Sequence, residues 1–107
     1  MIIYGLKNCD TCRKALKVMD NARLYDVRES PVPAEILAEA QQKFAEKLVN
    51  TRSTTWRGLS EEERARPALD LLADHPALMK RPLIRTPEGE LFLGWTRDVQ
   101  AALGISG

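Results

Sequence analysis

The stretch Met1-Ile2-Ile3-Tyr4-Gly5-Leu6-Lys7-Asn8-Cys9-Asp10-Thr11-Cys12-Arg13-Lys14-Ala15-Leu16-Lys17-Val18-Met19 decides the fold. Its opening run is β-branched and aromatic and stops at Gly5, which reads as a buried strand. Leu6-Lys7-Asn8 reads as a loop. From about Asp10 to Asn21 the pattern turns helical. Cys12, Leu16 and Met19 recur at i, i+4 and i+7, Ala15 and Val18 widen that face, and Lys14 and Lys17 face solvent. Arg23–Arg28 regains strand character, with Leu24-Tyr25-Asp26-Val27 short enough to pair beside the first strand. Strand, helix and strand in so short a span form a compact β-α-β unit, which favours parallel pairing through a right-handed crossover.

Beyond this unit, Ser30-Pro31-Val32-Pro33 breaks the pattern. Pro33 suits the first turn of a helix that carries Ile36, Leu37, Ala40, Phe44 and Leu48 on one face. Asn50–Arg57 reads as a polar loop with one large aromatic, Trp56. Ser60-Glu61-Glu62-Glu63 is a capping box, which starts a helix at Glu61. Pro67 is costly inside a helix, so two short helices are expected, the second over about Pro67–Ala73. His75-Pro76 opens a further helical turn through Met79. Leu83–Thr86 and Leu91–Leu93 flank Pro87-Glu88-Gly89-Glu90 as a hairpin. Thr96 caps a last helix that runs through Leu103 and stops at Gly104. The order is β-α-β, a block of helices, then β-β-α. This is the layout of an α/β, thioredoxin-like mixed sheet: one domain over 1–107, with a helical insertion at about 33–79.

Composition narrows the function classes. The 107 residues suit one domain. Sixteen Lys and Arg against fifteen Asp and Glu leave a net charge of +1, which argues against direct nucleic-acid binding or a membrane hold by charge alone. No apolar run approaches the roughly 20 residues of a membrane span, and the opening Ile2-Ile3-Tyr4 is no signal peptide. A cytoplasmic protein is expected. Two cysteines make neither a disulfide scaffold nor a four-thiolate zinc site, so no metal is expected.

Those cysteines, Cys9 and Cys12, lie where a loop opens a helix. Free N–H groups and the positive end of a helix dipole stabilise an anion there, so Cys9 should form a thiolate readily. Lys7, Arg13 and Lys14 add positive charge, while Asp10 opposes it. Cys12 follows three residues later, within reach of Cys9 once that thiol is oxidised. The pair suits a nucleophile and a resolving thiol working by thiol–disulfide exchange. For Cys12 alone, a small buried hydrophobe fits the spacing equally well.

Three motifs, Tyr4–Ala15, Asn50-Thr51-Arg52-Ser53-Thr54-Thr55-Trp56-Arg57 and Lys80-Arg81-Pro82-Leu83-Ile84, resemble those of the ArsC/Spx family in the family's order. The family holds glutaredoxin-dependent arsenate reductases, Spx redox regulators and small relatives assigned as glutathione-linked thiol reductases. The resemblance implies a thioredoxin-like fold with a helical insertion, Cys9 at the catalytic cysteine position and Pro82 at a cis-proline position. It also implies an anion site with Arg52 and Arg81, to which Thr11 and Arg13 at the helix start are added. Local charge agrees: Lys47–Arg57 and Ala77–Pro87 each carry three basic residues and no acidic one.

The chain departs from the arsenate reductases of that family. Gly5 stands where they carry a histidine, Gly94 where their third arginine falls, and Lys7-Asn8 replaces an Asn-Pro step. Each arginine missing from an oxyanion pocket removes a charge-assisted hydrogen bond worth about 1.5–3 kcal/mol. The expected activity is reduction of a disulfide, a glutathione adduct or an oxyanion. No cofactor is held, and glutathione or a glutaredoxin donates the electrons. The alternative is an Spx-like redox sensor that binds RNA polymerase. His75 reads as a surface or capping residue, and Trp56 and Trp95 as loop anchors.

Overall fold

The computed structural model describes residues 1–19 and 22–105. The chain divides into two compact units, Met1–Asp26 with Arg81–Gly107, and Val27–Lys80. The first holds a four-stranded sheet: β1 (Ile2–Gly5), β2 (Arg23–Asp26), β3 (Leu83–Arg85) and β4 (Leu91–Leu93), in the order β2-β1-β3-β4. The pair β1/β2 is parallel, as the β-α-β reading requires, while β1/β3 and β3/β4 are antiparallel. This mixed sheet with helices is the thioredoxin-like α/β fold expected from the sequence.

Strand register explains the core of this unit. Ile3 pairs with Leu24 on one side and Ile84 on the other, and Ile84 pairs with Phe92, so four apolar side chains form a row across one face. Helix α1 (Asp10–Val18) covers that row with Ala15 and Leu16, Met19 follows just beyond its end, and a C-terminal helix (Arg97–Ala102) contributes Val99. Ile3, Ala15 and Ile84 are fully buried. Helix α1 stops at Val18, because Met19 turns to an extended backbone and is buried there. The rest of the helix expected through Asn21 lies outside the described residues. Strand β2 ends at Asp26, two residues before the expected limit, and the Asp26 carboxylate accepts the Lys7 N–H at 3.0 Å.

The second unit is helical. It contains α2 (Ala34–Phe44), α3 (Thr54–Arg57), α4 (Glu61–Arg64) and α5 (Ala68–Asp74), with 3-10 turns at Ala45–Leu48 and Pro76–Leu78. The helix expected to continue to Leu48 breaks at Ala45, which takes a positive φ of 52°. The segment read as a polar loop ends instead in α3, because the Ser53 hydroxyl caps it by accepting the Trp56 N–H at 3.1 Å. Ser60 caps α4 through the Glu63 N–H, as its motif requires. The Glu63 carboxylate accepts from Arg66 at 3.0 Å and lies 3.6 Å from His75 Nε2. Around Val49 and Met79 a short antiparallel bridge ties the middle of the unit to its C-terminal end: Asn50 N–H donates to the Leu78 carbonyl at 2.7 Å and Lys80 N–H to that of Leu48 at 2.8 Å. After these elements, α6 is the C-terminal helix Arg97–Ala102, capped by the Thr96 hydroxyl. Among the described residues, no helix is long and apolar enough to cross a membrane.

Candidate active site

The first unit brings Cys9, Cys12 and Arg81 together. Cys9 is the residue before α1, in extended backbone, and its own N–H is held by the Leu6 carbonyl at 3.1 Å. Its carbonyl accepts the Arg13 N–H at 3.0 Å, which closes the first helical turn. The loop is tied twice more: Lys7 N–H donates to Asp26, and Arg13 Nε donates to the Lys7 carbonyl at 2.8 Å. Cys9 is half-buried and Cys12 fully buried, and both are free thiols.

Electrostatics separate the two thiols. Burial pushes Cys9 up, but the backbone N–H of Cys12, the Cys12 thiol and the Arg81 guanidinium together outweigh it, leaving Cys9 below its ordinary value. The groups around it act on the charged form. Cys12 moves the other way, to about 11, chiefly through burial and secondarily through the Cys9 sulfur beside it; the Leu6 backbone and Arg81 oppose the rise. The arrangement favours the charged form at Cys9 and the protonated form at Cys12.

Arg81 reaches this site because only Pro82 separates it from β3, which pairs with β1, whose end leads into the cysteine loop. The Arg81–Pro82 peptide is cis. Pro82 is fully buried, and its carbonyl accepts the Gly94 N–H at 2.8 Å. Gly94 has φ 85°, a conformation that costs a side-chain-bearing residue energy.

The other residues expected at the site are placed as follows. Thr11 is the second residue of α1 and half-buried, and Arg13 is exposed, with Nε given to the loop backbone. Arg52 belongs to the second unit, exposed in the turn before α3, where its N–H donates to the Asn50 side chain at 3.1 Å. Among the described residues no group of three or more His, Cys, Asp or Glu is arranged to hold a metal ion.

Sequence reasoning passed over Gly5 as a working part of this site. A Cβ built there would overlap the Cys12 sulfur and lie 3.3 Å from the Cys12 Cβ. The available signal was a glycine closing a strand pattern, which marks close approach of another group.

The ArsC family model matches residues 4–102. An uncharacterized protein of Haemophilus influenzae is 39% identical over 110 residues, covering 94% of this chain and 96% of its own. Among solved structures, the YffB protein superposes with a TM-score of 0.83 at 27% identity, covering 94% of this chain and 96% of its own. An arsenate reductase (ArsC) related protein from Brucella melitensis gives 0.68 at 30% identity, covering 97% of this chain and 94% of its own. With the cysteine loop, the sheet order and the matched span in agreement, the chain belongs to the ArsC family, a family of thiol-dependent reductases.

Proposed function

We propose that this protein is a thiol-dependent oxidoreductase with Cys9 as nucleophile and Cys12 as resolving thiol. It reduces a disulfide, a glutathione adduct or a bound oxyanion with electrons from glutathione or a glutaredoxin. The observation that carries the reading is the Cys9 sulfur standing at a helix start between the Cys12 groups and the Arg81 guanidinium. A thiolate so favoured attacks the sulfur of a glutathione adduct, the Cys9 S–S bond forms, and the substrate thiolate leaves and takes a proton. Attack by Cys12 then releases glutathione and leaves a Cys9–Cys12 disulfide. Two glutathione thiols reduce that disulfide and emerge as oxidised glutathione. Arg81, with Thr11 and Arg13 of the same unit, serves an anionic substrate in this reading. A cytoplasmic setting goes with it, since glutathione-linked turnover needs a reducing compartment.

The test is turnover of a glutathione mixed disulfide, and separately of arsenate, by purified protein with glutathione and a glutaredoxin. Oxidised glutathione is read through a coupled reductase. The parent turns over at least one of the two substrates and Cys9→Ser falls to background. Equal rates in parent and Cys9→Ser contradict the mechanism.

A further inference from the structure

Gly5 ends β1 and is buried, yet its φ lies outside the left-handed region, so the backbone there does not call for glycine. Within a strand, glycine loses packing and costs conformational entropy. Something else holds the position to the smallest residue. The contact is with Cys12: a Cβ on Gly5 would overlap the Cys12 sulfur, whereas Leu24 Cδ1 would stand at an ordinary 3.8 Å from it. The Cys12 sulfur thus fills the space that a side chain at position 5 would take. No solvent-borne reagent reaches it readily, because Cys12 is fully buried. Its reacting neighbour is the Cys9 sulfur, three residues before it at the start of the same helix, which also raises the Cys12 thiol.

We propose that Gly5 is a positioning residue: its missing side chain holds the Cys12 sulfur where it can attack Cys9, and any side chain at position 5 slows the resolving step while leaving the first attack. This rests on the reading of Cys9 as nucleophile. The step is an exchange. The Cys9–glutathione S–S bond breaks and a Cys9–Cys12 S–S bond forms. The Cys12 sulfur is oxidised, the glutathione sulfur is reduced, and the Cys12 proton passes to the leaving glutathione thiolate. With alanine at position 5, the Cys12 sulfur must shift from its place. A misplacement of about 1 Å costs up to about a hundredfold in such a step.

Intact-mass time courses with oxidised glutathione test this on the parent and Gly5→Ala. The parent takes glutathione on Cys9 and then loses it as the internal disulfide closes. Gly5→Ala still takes glutathione on Cys9 but holds the adduct, closing about tenfold or more slowly. Closure at the parent rate in Gly5→Ala overturns the role of Gly5 alone. Absence of both a glutathione adduct on Cys9 and a Cys9–Cys12 disulfide in the parent overturns the functional reading and this inference with it. Folding is controlled by Gly5→Ala/Cys12→Ala, which removes the overlap. Recovery of the thermal midpoint in the double variant, relative to Gly5→Ala, supports the shared space; no recovery refutes it.

Discussion

The Arg81 guanidinium favours the charged form of the Cys9 sulfur, linking a residue just before β3 to one just before α1. The antiparallel pairing of β1 with β3 makes that meeting possible, since it sets the two loops at the same end of neighbouring strands. Replacing Arg81 by methionine keeps most of the stem and removes the charge. Cys9 in Arg81→Met should titrate higher than in the parent, followed by thiolate absorbance. An anionic substrate should bind about tenfold or more weakly, the loss of one charge-assisted hydrogen bond. An unchanged Cys9 titration would remove Arg81 from the site.

The two thiols also predict opposite slopes of stability with pH. Cys12 keeps its proton in the fold up to about 11, against 9.0 in the ordinary thiol. Between those values the folded state binds more protons than the unfolded state, so stability falls as pH rises. Cys9 is depressed, so just below 9.0 the unfolded chain holds the extra proton and stability rises with pH. Urea midpoints against pH should fall from about 9 towards 11, and Cys12→Ala should flatten that fall.

Gly94 carries a φ of 85° and donates its N–H to Pro82. Gly94→Ala should destabilise by about 1 kcal/mol or more, because alanine is strained at that angle. A loss of that size lowers the thermal midpoint by roughly 4–8 °C in a small domain. Calorimetry checks it, and an unchanged midpoint would contradict the strained geometry.

Ala45 presents the reverse case. It is exposed and sits at φ 52° and ψ −127°, where only glycine is at ease. Ala45→Gly should therefore stabilise the protein by about 1 kcal/mol, against the usual penalty for glycine. Denaturant titration of the two proteins gives the sign directly.

Local patterns made much of this legible. The apolar run stopping at Gly5, the helical spacing of Cys12, Leu16 and Met19, and the hydroxyl caps at Ser60 and Thr96 each depend on near neighbours in sequence, and the elements appear accordingly. Prolines at 33, 67 and 76 divided the helical block correctly, because each begins a new element or stands just before one. The break at Ala45 was not legible, since alanine carries no turn signal. Helix α3 was hidden in a polar run, although Ser53 three residues before Trp56 was a cap in plain view. At the site, the cysteine pair was readable from its spacing, Arg81 was expected only through the family resemblance, and the role of Gly5 was not read. Arg81 comes to Cys9 through strand pairing, and Gly5 meets Cys12 across a strand and a helix; neither contact leaves a trace in local spacing.

The central claim is that Cys9 is the activated thiol and Cys12 its protonated partner. Alkylation by iodoacetamide across pH, with each cysteine followed by peptide mass, tests it most directly. Cys9 should be modified with a midpoint below 9.0, while Cys12 stays unmodified through neutral pH and reacts only as pH approaches about 11. A Cys9 midpoint at or above 9.0, or Cys12 reacting first, would contradict the account.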